Sequence, residues 1–357
     1  MQGIGEPTAE SELRVLAWAA LVTPACAAYA RFASRRLRPG LPRLAALFPT
    51  CPFFVYLPCM FNSLHLRLLS TFFHTWLLIN KLVLLALDLG PLHADLPLLP
   101  FLLCAGLPVK VRRPDQKPAD AEHSTSPEPA PPPVAEYLRP CARSVVLLGC
   151  LAAVYPYTGW LPLYAVHYLY CAQIFLTLDL VLSSASLITA ALLGASLERQ
   201  FSTPLATSSL SGFWGRQWNL MAVDLLRASA YEPVRARWGR DAGVLAAFLM
   251  SGVLHELLYW YLTLQRPTGE MLRFFVFHAV LQIAERWARA AGLRRPPRAA
   301  AYVLVTGFMV VTVSEMFFGP FVRAGVDVRM TQEARAMLGL LWRGANHLLR
   351  PFGVVSA

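Results

Sequence analysis

Long apolar runs separated by short polar breaks dominate the chain. Nine of them, at 15–30, 44–61, 68–87, 96–109, 144–164, 167–193, 242–264, 274–291 and 300–318, are candidates to enter a bilayer. A hydrocarbon core about 30 Å thick is crossed by about 20 apolar helical residues, so the pattern predicts membrane helices. Their lengths are uneven. Segment 96–109 is short and contains Pro97, Pro100 and Pro108, while 44–61 contains Pro49, Pro52 and Pro58. Arg31, Arg35, Arg36, Arg38 and Arg43 mark one loop as cytosolic, and Lys110, Arg112, Arg113 and Lys117 mark another. Loops on one side need an even number of crossings between them, and three segments are available. One of the two proline-rich segments is therefore expected to be re-entrant or broken.

Residues 114–133 mix Pro, Ala, Ser and Glu and end in a PAPPP run, a composition that cannot bury a core. They predict a cytosolic linker, and the chain divides into an N-terminal transmembrane bundle (1–113), a disordered Pro-rich linker (114–140) and a membrane core (141–357). Residues 1–12 carry Glu6, Glu10 and Glu12 and no Lys or Arg, so 13–32 reads as a retained first span rather than a cleaved signal. No internal repeat supports an inverted-repeat transporter. Between 198 and 241 Phe201, Phe213, Trp214, Trp218 and Trp238 alternate with Arg199, Arg216, Arg227, Arg235, Arg237 and Arg240. Such a segment lies at the headgroup level, either flooring a cytosol-facing cavity or serving as an anchor without a ligand.

Composition fixes the solvent. Of 357 residues 56% are hydrophobic and only 15% charged, against about 25% charged in a soluble protein. The fold class is all-α, a polytopic membrane bundle of about eight to nine hydrophobic segments. The net charge of +11 comes from arginines in loops beside apolar runs, not from one periodic face, so nucleic acid is excluded as a partner. The seven cysteines are odd in number and form no CxxC pair, which predicts small buried hydrophobes and neither a disulfide framework nor a metal site.

The chemistry centres on His255, an ionisable side chain near the middle of an apolar run, where insertion costs several kcal/mol. Ser251 and Tyr259 lie four residues to either side on the same helical face, and Gly252 permits close approach of another helix. A neutral imidazole, with its ordinary pKa near 6.5, accepts a proton from a hydroxyl under attack. The alternative is a buried histidine that merely hydrogen-bonds a carbonyl across the bundle. A zinc-protease reading fails because Tyr259 stands where HExxH requires the second histidine. Glu256 points away from His255 and reads as half of a structural ion pair. His278, Glu285 and Glu315 read as pairs within the bundle or, in a proton-coupled transporter, as a proton path. His65, His74, His93, His167 and His347 have no metal-pair spacing and read as structural. Gly212 and Gly215 lack the Lys-Ser/Thr ending of a phosphate loop, and Ser251 lacks the G-x-S-x-G elbow of a nucleophile.

Phe213-Trp214-Gly215-Arg216-Gln217-Trp218-Asn219, followed by Ser251-Gly252-Val253-Leu254-His255-Glu256-Leu257, resembles the paired signature of the membrane-bound O-acyltransferase superfamily, in its plant wax synthase branch. The first heptapeptide is similar to the FYxDWWN box of diacylglycerol and sterol acyltransferases. Phe213, Trp218 and Asn219 are in register, and Arg216 and Gln217 depart towards the wax synthase branch. Leu225-Leu226-Arg227 and Tyr231-Glu232-Pro233-Val234-Arg235 extend the resemblance, as do Asn62-Ser63-Leu64-His65-Leu66-Arg67 and Leu107-Pro108-Val109-Lys110 more weakly. It implies a helical bundle around a tunnel that long-chain acyl-CoA enters from the cytosol and a fatty alcohol or sterol enters from the bilayer. His255 is then the general base, Asn219 the second catalytic-site residue, and Arg216, Trp218, Arg227 and Arg235 contacts for the acyl-CoA. The thioester is already activated, so no metal or permanently bound cofactor is expected. Membrane lipids surround such an enzyme. The resemblance also implies the endoplasmic reticulum as its location and admits a homo-oligomer.

Overall fold

Seven of the nine apolar runs become helices long and apolar enough to cross a membrane. The computed structural model describes residues 9–109, 134–193, 207–294 and 296–349, and among these the regular elements are all helical. In chain order they are α1 (Ala9–Arg36), α2 (Leu41–Met60), α3 (Leu64–Ala86), α4 (Leu98–Gly106), α5 (Val134–Val154) and α6 (Leu163–Leu193). There follow α7 (Leu220–Leu226), α8 (Glu232–Trp238), α9 (Arg240–Thr263), α10 (Glu270–Ala290), α11 (Arg298–Arg323) and α12 (Val326–Leu349).

The segment that does not cross is 96–109. Its helix α4 has nine residues, about 14 Å at 1.5 Å per residue, under half the hydrocarbon thickness. Pro97 starts it and the extended Leu107, just before Pro108, ends it. Lys81 of α3, wholly buried, fixes the C-terminal end by donating from Nζ to the carbonyls of Cys104 and Leu107, each at 2.7 Å. A cation there meets carbonyls that the helix leaves unbonded and its negative dipole end. The prolines of 44–61 break α2 into short α and 3₁₀ pieces without interrupting it. Two crossings, α2 and α3, thus separate the two basic loops.

The run 274–291 forms α10, whose Glu285, Arg286 and Arg289 make its last turns too polar to count among the apolar spans. Its Met271, Phe274, Phe275, His278 and Ala279 are buried against the rest of the bundle. Helix α5 begins at Val134, so residues 134–140 of the expected linker are helical, and 114–133 lie outside the described residues. Of the cysteines expected to be buried, Cys104 is and Cys150 on α5 is exposed.

The Asn62–Arg67 stretch is a junction. The Glu12 carboxylate of α1 accepts from the N–H groups of Asn62 and Ser63, at 2.8 and 3.2 Å. Glu333 of α12 accepts from the Ser63 hydroxyl, the Leu64 and His65 N–H groups and the His65 ring. Two acids from distant helices therefore cap the first turn of α3, where N–H groups lack partners. Burial alone would raise the Glu333 pKa, but the bonds from His65, Leu64 and Ser63 outweigh it and hold the carboxyl down at about 2. Arg67, 3% exposed, donates to the carbonyls of Phe61 and Tyr261, tying α3 to the end of α9.

Candidate functional site

Gly252 sets the spacing of α9 and α10. A Cβ there would lie 2.9 Å from the Leu272 Cα, so only glycine lets the two backbones meet at this depth. Next to that contact round the helix, Arg240, Val244, Ala247, Ser251, His255, Leu258 and Leu262 form a stripe at three- and four-residue spacing that lines one cavity. The cavity has a volume of about 1440 Å³, larger than the roughly 300–1,000 Å³ that suits one drug-sized ligand. It follows α9 for about 33 Å at 1.5 Å per residue. Leu68, Phe72 and Trp76 of α3 complete a wall, so the N-terminal bundle contributes to it.

The cavity wall carries charge: Arg216, Arg227, Arg240, Arg286 and Arg289 line it together with Asp241 and, from the start of α12, Asp327. Arg286 is paired with Asp241, and Arg289 lies 3.7 Å from Glu285. Among the described residues Arg216, Arg227 and Arg240 have no ion-pair partner and are exposed. An anion entering here meets three uncommitted guanidinium groups. Arg240 continues the His255 stripe, a signal present in the sequence, where it counts only as an interfacial arginine. Arg235 is not brought to the cavity: it pairs with Glu232 at 3.1 Å and lies over the Tyr231 ring.

The Phe213–Asn219 stretch reaches the same cavity through a tight turn. Ser209 accepts the Gly212 N–H, a π-helical turn covers Phe213–Gln217, and the Trp218 N–H returns to the Phe213 carbonyl at 3.1 Å. The rings of Phe213 and Trp218 stack at 5.5 Å. Asn219 then sits in the left-handed region, φ 36° and ψ 72°, as the N-cap of α7. Asparagine tolerates this conformation far better than branched residues do. Its Oδ1 accepts the Ala222 N–H at 3.2 Å, which aims the side-chain amide and leaves its N–H groups uncommitted among the described residues. Asn219 is 6% exposed and lines the cavity.

On α9 the Nδ1 of His255 lies 2.7 Å from the Ser251 carbonyl. A carbonyl only accepts, so Nδ1 carries the proton and Nε2 presents a lone pair, with no partner among the described residues. The carbonyl it bonds belongs to its own helix and not to one across the bundle, and that bond orients the ring and leaves Nε2 open. Phe275 and Phe317 pack on the imidazole at 4.5 and 5.6 Å between centroids, contacts the sequence did not reveal. Tyr259 does not line the cavity; it is 3% exposed and its hydroxyl donates to Gln265. Four residues advance a helix by 40° beyond a full turn, and that rotation separates it from His255.

The other ionisable groups are engaged. Glu256 forms no ion pair among the described residues; it accepts the Leu272 N–H at 3.2 Å and caps the first turn of α10. His278 is wholly buried between Trp214 and Thr312. Glu285 accepts from the Ser211 N–H and Glu315 from the Tyr164 hydroxyl. These bonds tie elements together and do not form a continuous proton path.

The geometry agrees with the comparisons. Residues 197–277, which hold both Asn219 and His255, match the model of the membrane-bound O-acyltransferase family. The long-chain-alcohol O-fatty-acyltransferase of Simmondsia chinensis is 34% identical over 343 residues, covering 92% of this chain and 95% of that protein. The probable long-chain-alcohol O-fatty-acyltransferase 1 of Arabidopsis thaliana is 34% identical over 322 residues, covering 87% and 92%. Acyl-CoA–sterol O-acyltransferase 1 of the same plant is 30% identical over 335 residues, covering 90% and 94%. Similarity at this level along almost the whole length, with the two motifs on one cavity inside a bundle of membrane helices, shows that the chain belongs to the membrane-bound O-acyltransferase family and is a multi-pass membrane acyltransferase.

Proposed function

We propose that the enzyme transfers a long-chain acyl group from acyl-CoA to the hydroxyl of a fatty alcohol, forming a wax ester, with His255 as general base and Asn219 as donor to the thioester carbonyl. The observation that carries this reading is the pairing of an oriented, unprotonated His255 Nε2 with an oriented Asn219 amide on one cavity. The alcohol oxygen attacks the carbonyl carbon as its proton passes to Nε2. Charge then develops on the carbonyl oxygen, where one well-placed amide donor is worth about 3 kcal/mol. The tetrahedral intermediate collapses with cleavage of the C–S bond, and the imidazolium returns its proton to the departing CoA sulfur. Phe275 and Phe317 pack against the imidazole and hold the ring in place.

Two further features support the substrates. The three uncommitted arginines suit the phosphates of CoA at the end that the positive-inside bias assigns to the cytosol. The cavity volume has room for two long chains rather than one ligand. A sterol acceptor is the second reading, favoured by the similarity to an enzyme named for sterol esterification. Lipid profiling of yeast lacking its own neutral-lipid acyltransferases, expressing this chain and supplied with fatty alcohol or sterol, tests both. New wax esters support the first reading; steryl esters alone replace it with the second, and neither product sinks both. The enzyme is further proposed to reside in the endoplasmic reticulum.

A further inference from the structure

His278 is the one wholly buried histidine among the described residues, and its surroundings specify its protonation atom by atom. The Trp214 indole N–H, which can only donate, lies 3.1 Å from Nδ1, so Nδ1 holds a lone pair. Nε2 must then carry the proton, and it lies 3.1 Å from the Thr312 hydroxyl oxygen, which passes its own hydrogen to the Phe308 carbonyl at 2.9 Å. Every donor and acceptor of the ring is committed. His278 therefore has no lone pair for a substrate hydroxyl, unlike His255 with its open Nε2.

The partner of this bond occupies a central place. Trp214 belongs to the π-helical turn that ends at Gln217, just before Trp218 and Asn219. Its ring meets Phe248 of α9 at 5.5 Å and Phe275 of α10 at 5.7 Å, and Phe275 is the ring packed on His255 at 4.5 Å. A single indole thus borders both the turn that presents Asn219 and the aromatic floor beneath His255. Ring packing alone allows an indole to slide or flip in its plane; the N–H bond to His278 removes that freedom.

We propose that His278 is a positioning residue for acyl transfer, acting through Trp214 to set the Asn219 turn against His255. The inference rests on the reading of Asn219 and His255 as the reacting pair. It requires acceptance at the Nδ1 position, and two amides separate that requirement from mere occupancy. In His278→Asn the carboxamide oxygen falls near Nδ1 and accepts from Trp214, whereas in His278→Gln the amide reaches the Nε2 position, serves Thr312 and leaves Trp214 without an acceptor.

Purified His278→Asn, His278→Gln and Trp214→Phe, with His255→Ala and Asn219→Ala alongside, are assayed for ester formation from long-chain acyl-CoA with fatty alcohol and with sterol, resolving kcat from KM. Because misplacing a reacting group by about 1 Å costs up to about 100-fold, His278→Asn is expected within about threefold of the parent kcat. On the same ground His278→Gln and Trp214→Phe should fall at least about tenfold in kcat, with acyl-CoA KM within about twofold. Equal turnover in the Asn and Gln variants, high or low, overturns the proposal. Parent turnover in Trp214→Phe overturns it too, and that variant decides the matter if the His278 variants do not fold. Parent-like activity in His255→Ala and Asn219→Ala is a different failure, since it removes the reacting pair itself.

Discussion

The Nδ1 of His255 is bonded to the backbone carbonyl of Ser251, one helical turn earlier, at 2.7 Å. The partner is backbone, so the Ser251 hydroxyl is dispensable for holding the ring. His255→Ala is expected to lower ester formation at least about 100-fold in folded, monodisperse enzyme, as for loss of a general base. Ser251→Ala is expected to stay within about threefold, because the carbonyl that orients the ring belongs to the main chain and survives the substitution. Steady-state rates on the two purified variants check both statements; a Ser251→Ala loss as large as that of His255→Ala would falsify the carbonyl assignment.

Asn219 performs two tasks with two ends of one amide: its oxygen caps α7 through the Ala222 N–H, and its nitrogen remains to donate. Asn219→Asp keeps the acceptor and loses the donor. It is expected to fold with a melting temperature close to the parent and to lose about 10²–10³ in kcat. Asn219→Ala should lose the cap as well, destabilising the protein by about 1 kcal/mol. Thermal unfolding beside kinetics separates the two roles, and an active Asn219→Asp enzyme would show that no donor is needed there.

The cavity mouth distinguishes among the arginines. Arg216 and Arg227 line it without ion-pair partners among the described residues, while Arg235 is occupied by Glu232. Long-chain acyl-CoA should raise the melting temperature of the solubilised protein, since a ligand at 100-fold its Kd stabilises the folded state by about 2.7 kcal/mol. Replacing Arg216 and Arg227 together by alanine should shrink that shift and raise the acyl-CoA KM, and Arg235→Ala should leave both unchanged. An equal effect from Arg235 would return it to the binding surface.

Gly252→Ala is expected to destabilise the protein by about 1–3 kcal/mol, because its new Cβ lies 2.9 Å from the backbone of Leu272. The strain falls on the contact beside His255, so activity and melting temperature should decline together. A stable, fully active alanine variant would mean that α9 and α10 separate without consequence.

Stability should also respond to acid through Glu333. Its folded pKa of about 2 lies below its ordinary 4.5, so the carboxylate contributes fully above pH 4.5 and that contribution disappears as pH falls from 4.5 to 2. Melting temperature measured across that window should drop less steeply in Glu333→Gln, which begins from a lower value. Parallel curves for parent and variant would place the acid response elsewhere.

The sequence by itself determined the solvent, the class and the reacting candidates. Apolar run lengths and loop charges depend only on local composition, so membrane helices and a non-crossing proline-rich segment were legible. His255 stood out because an ionisable group in an apolar run is costly, and Asn219 because of the motif around it. Tertiary structure decided what depends on distant chain segments. Where α4 ends is fixed by Lys81, which caps it from 23 residues away, and the roles of His65 and Ser63 follow from Glu333, about 270 residues away. Tyr259, Arg235 and Arg240 share local patterns with cavity residues, yet only Arg240 reaches the cavity. A pattern of three or four fixes a side chain's angle about its own helix; what occupies that direction is set by the neighbouring helices, and for His278 those neighbours spend every hydrogen bond the ring can make.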